Sequence, residues 1–364
     1  MEASVGPLLP LFARERAAGR ALALGVLVHT DGSTYRKPGA LILIAADGAY
    51  AGLISGGCLE EDLRQHAHSV IAGAPARSLR YELRGDDLLW GLGLGCEGTM
   101  QMLLVRVGPE NDWQPLSHFA AALAARRPTA IGLVVDSASG QLPPGSLALL
   151  GDPQVAATSA ALHALTGLDS ALAEAAPNGR ERWVEASSCR VFVMPLALPP
   201  RIVLLGAGPD AVPVVDFAVR LDWKVTLLDH RPAYAVAAHF PGAEQVLLTP
   251  PDEVSRALEL GGFRAAVVMS HHLPTDLAYL RSLAATAIPY VGLLGPPQRR
   301  ARLLAELGAD AQALLPRLHA PVGLALGGRA PESIALAIVA QLHAFLHGGA
   351  ATAAGAAAAA APRL

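Results

Sequence analysis

One stretch restricts the fold more than any other, residues 202–232, which read IVLLGAGPDAVPVVDFAVRLDWKVTLLDHRP. A short apolar run ends at Gly206 and Gly208, a helix-like segment follows, and a second apolar run ends at Asp229. The two glycines permit a tight turn and a close backbone approach, and Ala211 supplies the third small residue, where helix and strand pack closely. Strand, glycine turn, helix, strand and acid, in this order, predict the first βαβ unit of a parallel sheet.

A turn of this kind is typical of a dinucleotide site. The N–H groups at the helix start can hold a pyrophosphate, and an acid about twenty residues further on, here Asp229, can bond ribose hydroxyls. Arg231 could instead accept a 2′-phosphate, so NAD(P) and other nucleotides stay open. A doubly wound fold that has lost its ligand is the alternative. The predicted nucleotide contacts are Gly206, Gly208, Pro209, Asp229 and Arg231.

The organisation of the second half follows from the same alternation of strands and helices. Further apolar runs, each followed by a helical segment, extend the predicted Rossmann-like domain over residues 201–347. Prolines in PLALPPR indicate a linker at 195–200. The alanine-rich tail, 348–364, is low in complexity, and we expect it to be disordered or a frayed helix.

The N-terminal half, residues 1–194, is predicted to be an α/β domain with an internal duplication. The pseudo-repeats span about 8–105 and 116–194; Gly25 aligns with Gly132, and one deleted residue then aligns Gly39 with Gly145. Each repeat has a helix, a β-rich run, a loop rich in Gly, Ser and Pro, and another apolar strand. A chance match in a sequence rich in Ala, Leu and Gly is the alternative.

Only the first repeat carries reactive groups in its loops. The loops are GSTYRKPGA (32–40), ISGGCLEED (54–62) and GLGLGCEGT (91–99). Glycine-rich turns let N–H groups approach an anion, and basic side chains can add charge. If the loops converge, they form a phosphate-binding pocket with two thiols. The expected contacts are Ser33, Arg36, Lys37, Ser55, Gly56, Gly57, Cys58, Gly95, Cys96 and Gly98.

The two thiols and two histidines are the candidate reactive side chains. Cys58 precedes a predicted helix, whose dipole would stabilise a thiolate, although three following acids oppose this effect. Cys58 and Cys96 could equally be small buried residues, and Cys189 is expected in the core. His271 and His272 follow the third strand of the second half and are proton-carrier candidates, with loop filling as the alternative.

Composition excludes several classes. The 364 residues include 52 % apolar ones and carry a net charge of −3, which favours neither nucleic acid nor an anionic membrane as partner. No apolar run reaches the length of a spanning helix. The 3 cysteines lack C-x-x-C spacing, so we expect a reducing, cytoplasmic environment.

SGGC, GLGC-x-G, GSTYRKPGA and GAGPDA…DHRP, taken together, resemble the XdhC/CoxI family over nearly the whole chain. The family's two cysteines fall on Cys58 and Cys96. The resemblance implies a maturation factor, and not itself an enzyme, that binds molybdenum cofactor (molybdopterin) and supports its sulfuration. It implies transfer to a molybdenum hydroxylase apoenzyme of the xanthine dehydrogenase or CO dehydrogenase type. A cysteine desulfurase and a second copy of the chain are further candidate partners.

The resemblance gives Cys58 or Cys96 two alternative roles, since a soft thiolate can ligate molybdenum or carry sulfur as a persulfide. One departure is visible: the family commonly has GLDIG where this chain has GLALG, residues 323–327. Two other functions stay open, an NAD(P)-dependent oxidoreductase and a nucleotide-sensing regulator without cofactor transfer.

Overall fold

The computed structural model describes residues 4–57, 59–83, 98–151 and 157–349. The chain divides into two compact units, Met1–Leu198 and Pro199–Leu364. Cys58, Gly95 and Cys96 lie outside the described residues, and so does the tail from residue 350.

The first unit contains two antiparallel sheets. The first sheet has the order β3-β2-β1-β5-β4 and the second has the order β7-β6-β9-β8. The strands are β1 (Leu22–Gly32), β2 (Leu41–Ala45), β3 (Tyr50–Gly52), β4 (Arg77–Glu82), β5 (Gly98–Val107), β6 (Ala130–Ser137), β7 (Leu147–Leu149), β8 (Arg182–Glu185) and β9 (Cys189–Pro195). The helices are α1 (Leu9–Ala17), α2 (Glu60–Ile71), α3 (Leu116–Ala124), α4 (Ala157–His163) and α5 (Leu168–Asn178).

Alternation of side chains along the strands creates three hydrophobic layers in this unit. Alternate residues of both sheets, such as Leu24 and Leu133, share one buried cluster. The opposite face of the first sheet packs on α2 through residues such as Leu63. The opposite face of the second sheet packs on α5 through residues such as Leu172. Cys189 is buried in this last layer, as its sequence context predicted.

The internal duplication is visible in the hydrogen-bond registers. Gly25 of β1 pairs with Ile42, and Gly132 of β6 pairs with Ala148. Both long strands then shift register at equivalent points, between Leu27 and His29 in β1 and between Val134 and Asp136 in β6. Such bulges bend and twist a strand. In each copy a positive-φ glycine, Gly39 or Gly145, donates its N–H back to the long strand. The aligned pattern therefore folds the same way twice.

The second unit is a parallel sheet of the order β12-β11-β10-β13-β14-β15. The strands are β10 (Arg201–Leu205), β11 (Lys224–Asp229), β12 (Gln245–Leu248), β13 (Ala265–Val268), β14 (Val291–Leu293) and β15 (Leu318–His319). The helices are α6 (Ala211–Arg220), α7 (Val254–Ala257), α8 (Leu273–Ala284), α9 (Pro297–Leu307), α10 (Ala311–Leu314) and α11 (Pro331–Leu346).

Helices cover both faces of this parallel sheet. On one face α6 and α11 bury residues such as Val215 and Ile338 against the strands, and on the other α8 and α9 bury Leu280 and Leu303. The strand order reverses between β10 and β13, and ligands of such sheets bind at the carboxyl ends on either side of this point. The predicted fold class, an α/β domain with a duplication and a Rossmann-like domain, is confirmed. Within the described residues no helix is long and apolar enough to span a bilayer.

Candidate functional site

Strand registers bring the predicted loops of the first unit to one end of its first sheet. Gly32, at the end of β1, pairs with Gly98, at the start of β5. Gly52, at the end of β3, pairs with Ile42 near the start of β2. The loop after β1, the loop after β3 and the chain entering β5 therefore all meet the sheet at this end. We call it the loop end of the first sheet.

Gly98 holds two of these segments together. A Cβ atom at this position would lie 2.6 Å from the carbonyl oxygen of Asp31 and 2.7 Å from that of Ser33. Both contacts are with backbone atoms, which cannot move without disturbing the loop, so only glycine fits at this position. The residue that ends the second cysteine motif thus packs directly against the start of the basic loop.

The basic loop is ordered by its own polar groups. Thr34 donates its hydroxyl to the carbonyl oxygen of Arg36 at 2.9 Å, and Lys37 Nζ donates to Thr34 Oγ1 at 3.4 Å. Ser33 and Lys37 are exposed, whereas Arg36 is half-buried. The loop therefore carries two cations close to its backbone at the loop end of the first sheet.

The loop before α2 is organised by a residue that sequence reasoning treated only as a helix-start charge. Glu60 is 2 % exposed and accepts four hydrogen bonds. Its Oε1 accepts the N–H groups of Ile54 (3.0 Å) and Ser55 (2.8 Å). Its Oε2 accepts the hydroxyl of Ser55 (2.5 Å) and the N–H of Gly57 (3.1 Å). Leu59 closes the loop by donating its N–H to Ser55 Oγ at 3.0 Å.

This arrangement corrects part of the expected anion site. Three N–H groups of the loop that was expected to bind an anion are taken by the Glu60 carboxylate, because Glu60 folds back over the turn. Burial favours its neutral form, but the hydrogen bonds from Ser55 and Ile54 outweigh burial and keep the pKa of Glu60 below its usual value. The carboxylate is thus a fixed internal anion of the loop.

The outer side of the same loop is open. Gly56 and Gly57 are exposed, and a Cβ built on either meets no described atom within 4 Å. Gly57 has a φ of +113°, which L residues rarely adopt. A ligand can approach the backbone here, one residue before Cys58. The thiol itself, like Cys96 and Gly95, lies outside the described residues.

In the second unit the glycine turn is packed as the fingerprint requires. Gly206 has a φ of +124°, and its missing Cβ would lie 2.6 Å from the carbonyl group of Met269, at the end of β13. The N–H of Gly206 donates to Leu228 of β11 at 2.9 Å. The turn is therefore tied to the strands on both sides of the point where strand order reverses.

Asp229 does not present a free carboxylate to a ribose, contrary to expectation. Its Oδ2 accepts the N–H of Ala207 (2.8 Å) and Nη2 of Arg231 (2.7 Å). Its Oδ1 accepts the N–H and Nε of Arg231, both at 2.9 Å. A carboxylate has about four lone-pair positions, and here all four are occupied. Burial opposes ionisation, but these bonds keep the pKa of Asp229 low.

Arg231 is instead the group that borders solvent. Its bonds to Asp229 raise its pKa further, and its guanidinium lies 4.1 Å from the ring centre of Tyr234. The arginine side chain is 33 % exposed and the Asp229 side chain 1 %. Sequence proximity, Asp-x-Arg, was a signal for this pairing that the ribose interpretation overlooked.

The two candidate histidines lie in the turn between β13 and α8, after the strand as expected. His271, with a φ of +61°, contacts the Asp210 carboxylate through Nε2 at 2.7 Å. His272 contacts Thr275 Oγ1 through Nδ1 at 2.9 Å at the start of α8. His271 thus connects the turn after β13 to the turn after β10, and His272 is the N-cap residue of α8.

A cavity of about 300 Å³ lies beside the glycine turn. It is bounded by the turn and the first turn of α6 on one side, and by the segment after β11 on the other. Its lining residues are Ala207, Gly208, Pro209, Val212, Ala233, Tyr234, His239 and Phe240. Aromatic walls and a glycine turn suit a nucleobase and a phosphate.

The comparisons with known proteins agree with this architecture. Residues 202–342 match the XdhC Rossmann domain, and residues 15–82 match the XdhC and CoxI family. A Bacillus subtilis protein, described as a probable subunit of xanthine dehydrogenase, is 29 % identical over 88 % of this chain and 91 % of its own. The molybdenum cofactor insertion chaperone PaoD of Escherichia coli is 25 % identical over 89 % of this chain and 83 % of its own.

A solved structure extends the similarity to the whole fold. It is a protein described as a xanthine dehydrogenase from Bacillus halodurans, and it superimposes with a TM-score of 0.75 at 28 % identity. The alignment covers 97 % of this chain and 98 % of that chain. The chain therefore belongs to the XdhC/CoxI family.

Proposed function

We propose that this protein binds molybdenum cofactor as cargo and delivers it to a molybdenum hydroxylase of the xanthine dehydrogenase or CO dehydrogenase type. The observation that carries the proposal is the loop end of the first sheet. There the basic loop and an open glycine turn lie at one end of the sheet, and in the chain Cys58 directly follows Gly57 of that turn while Cys96 lies two residues before Gly98 of β5. The relatives named for xanthine dehydrogenase and for cofactor insertion support the same role.

The residues at the loop end of the first sheet fit the chemistry of this cargo. Molybdopterin carries a phosphate, a polar pterin and a dithiolene that holds molybdenum. Arg36 and Lys37 supply charge for the phosphate. Gly56 and Gly57 leave room for close approach to the backbone. The Glu60 carboxylate already accepts three N–H groups of the turn before α2. We therefore assign the phosphate to the basic loop rather than to this turn.

The cysteines supply sulfur ligands for the same cargo. A thiolate at Cys58 or Cys96 is a soft ligand suited to holding molybdenum. As a persulfide it would also carry the sulfur needed for cofactor sulfuration, with a cysteine desulfurase as donor. In both cases the protein holds and protects the cargo without converting a substrate, so we assign it an accessory role.

The second unit supplies a nucleotide site in this proposal. Its glycine turn, the start of α6 and the adjoining cavity fit a base, a ribose and a phosphate. The nucleotide is either part of the cargo or a separate NAD(P). We further propose that the protein works in the cytoplasm, where the recipient apoenzyme folds, and that it docks on that apoenzyme.

Copurification tests the cargo role. The full-length protein is expressed in a host that makes molybdenum cofactor, and molybdenum and oxidised pterin are quantified per chain. We expect both to accompany the wild-type protein in a near-constant ratio. Absence of pterin from protein that is folded and isolated without oxidation would refute the proposal.

Cysteine variants separate the thiol role from cofactor binding in general. A Cys58→Ala, Cys96→Ala double variant should lose most of its molybdenum. Cys189→Ala is the matched control, because Cys189 is buried in the layer between the second sheet and α5. Equal molybdenum content in the double variant and the control would remove the thiols from the site.

A further inference from the structure

Beside the nucleotide cavity of the second unit, the charged group next to the lining residue Tyr234 is the guanidinium of Arg231, whereas the carboxylate of Asp229 is buried. We infer that this cavity takes a nucleotide whose ribose carries a phosphate, such as a 2′-phosphorylated adenosine, in preference to one with a free ribose. Arg231 is the residue that sets the preference. The inference rests on the nucleotide role proposed for the second unit and takes that nucleotide to be separate from the cargo bound by the first.

The first step is that Asp229 has no acceptor position left for a ribose hydroxyl. A free ribose is normally held by an acid at this position that accepts its hydroxyl protons. Here the carboxylate is fully buried, and four donors from Ala207 and Arg231 fill its lone pairs. A hydroxyl could bond Asp229 only by displacing one of these donors, which would leave a buried polar group unpaired.

The second step is that Arg231 keeps donors while it stays paired. A guanidinium has five N–H bonds arranged in a planar fork. Only Nε and Nη2 bond Asp229, and Nη1 bonds no acceptor among the described residues. The Nη1–Nη2 edge can therefore bind a phosphate through two parallel bonds without breaking the pair with Asp229.

The third step is the placement of Arg231 relative to the cavity. Its guanidinium lies 4.1 Å from the ring centre of Tyr234, and Tyr234 and Phe240 line the cavity. A base packed between these aromatic walls and the glycine turn would bring its ribose to Arg231. The cavity volume, about 300 Å³, is at the small end for ligand sites and suits a base with part of its ribose.

Nitrogen donors around this end also suit a phosphate. His239 lines the cavity, and His230 lies beside Asp229 with Nδ1 3.6 Å from Oδ1. Asp210, at the start of α6, is paired with His271, and Asp276, in α8, is paired with Arg299. Each of these carboxylates, like Asp229, thus has a basic partner.

Two small probes test the inference on the full-length protein. Adenosine 2′,5′-bisphosphate and adenosine 5′-diphosphate have the same number of phosphates and differ in where the second one is attached. By calorimetry we expect the 2′,5′ compound to bind roughly 10- to 100-fold tighter, the range of a charge-assisted bidentate contact. Equal or weaker binding of the 2′,5′ compound would overturn the inference.

Variants show whether Arg231 is responsible. Arg231→Ala should abolish the preference, with the affinity for the 5′-diphosphate changed less than about threefold. Arg299→Ala is the matched control, because Arg299 also pairs with a fully buried acid, Asp276, at 2.5 Å but, unlike Arg231, stacks on none of the described cavity-lining rings. Arg299→Ala should keep the preference. Arg231→Lys retains the charge that Asp229 needs but loses the fork, and should reduce the preference severalfold.

The outcomes distinguish this inference from the proposed function. If neither probe binds at millimolar concentration, both the inference and the nucleotide role fail, while the cargo role is still decided by the molybdenum content. If both probes bind equally, only the inference fails. If Arg231→Ala does not fold, the wild-type ratio and Arg231→Lys decide the question.

Discussion

Replacing Glu60 tests how the turn before Cys58 is built. The Glu60 side chain accepts two bonds on each oxygen, from Ile54, Ser55 and Gly57. At about 1 kcal/mol of net stability per hydrogen bond, Glu60→Ala removes up to ~4 kcal/mol. Because Gly57 is exposed and its N–H can bond water instead, we expect about 3 kcal/mol. Glu60→Gln keeps one accepting oxygen and should cost about half as much.

Amide hydrogen exchange measures this effect where it occurs. A local loss of about 3 kcal/mol should speed exchange at Ile54, Ser55 and Gly57 roughly 100-fold at neutral pH. Glu61→Ala is the control, since Glu61 is 63 % exposed and pairs with Arg64 on the helix surface. Its effect should stay within about 0.5 kcal/mol.

The Glu60 effect should also depend on pH. A carboxyl whose pKa is lowered in the folded protein stabilises it above the unfolded value, near 4.3. This stability disappears as the pH falls through the folded pKa. The difference in stability between wild type and Glu60→Gln should therefore shrink below about pH 4. Unchanged exchange in Glu60→Ala at neutral pH would refute the argument for the turn.

Other substitutions in the second unit give matched comparisons by thermal unfolding. Tyr279→Phe removes a buried hydroxyl with no described partner, so the free energy of unfolding should be unchanged or rise by up to ~1 kcal/mol. Tyr290→Phe removes a 2.6 Å hydrogen bond to Gln341 and should lower the free energy of unfolding by about 1–2 kcal/mol. The reverse order would contradict the hydrogen-bond assignment. Asp229→Asn should cost about 2–3 kcal/mol, because it leaves Arg231 without its anion, partly compensated by water. A cost below about 0.5 kcal/mol would show that the pair is not structural.

Local patterns predicted the architecture well. The glycine fingerprint placed β10, α6 and β11, because a turn with close contacts on both sides admits few residues other than glycine. The alignment of Gly25 with Gly132 predicted a repeat whose registers agree even in the position of the bulge. Periodicity and small residues are read directly from the chain, and they determine packing.

The details of both sites were less accessible to sequence reasoning. The fold-back of Glu60 depends on the positive φ of Gly57, and the saturation of Asp229 depends on where the Arg231 side chain turns. In both cases the direction of a side chain decides the contacts, and the sequence pattern does not determine that direction. In each case an acid that was expected to contact a ligand or a helix dipole instead accepts hydrogen bonds from nearby backbone N–H groups. Such internal pairing is the general alternative for an acid beside a glycine turn.

The central claim is that the loops at the loop end of the first sheet hold the cargo. Hydrogen exchange of the full-length protein with and without bound molybdenum cofactor tests it most directly. The account predicts slower exchange in peptides containing residues 33–40, 54–59 and 96–99 together, while peptides of β8 and α5 stay unchanged. Protection confined to the second unit, or absent from the three loop peptides, would contradict it.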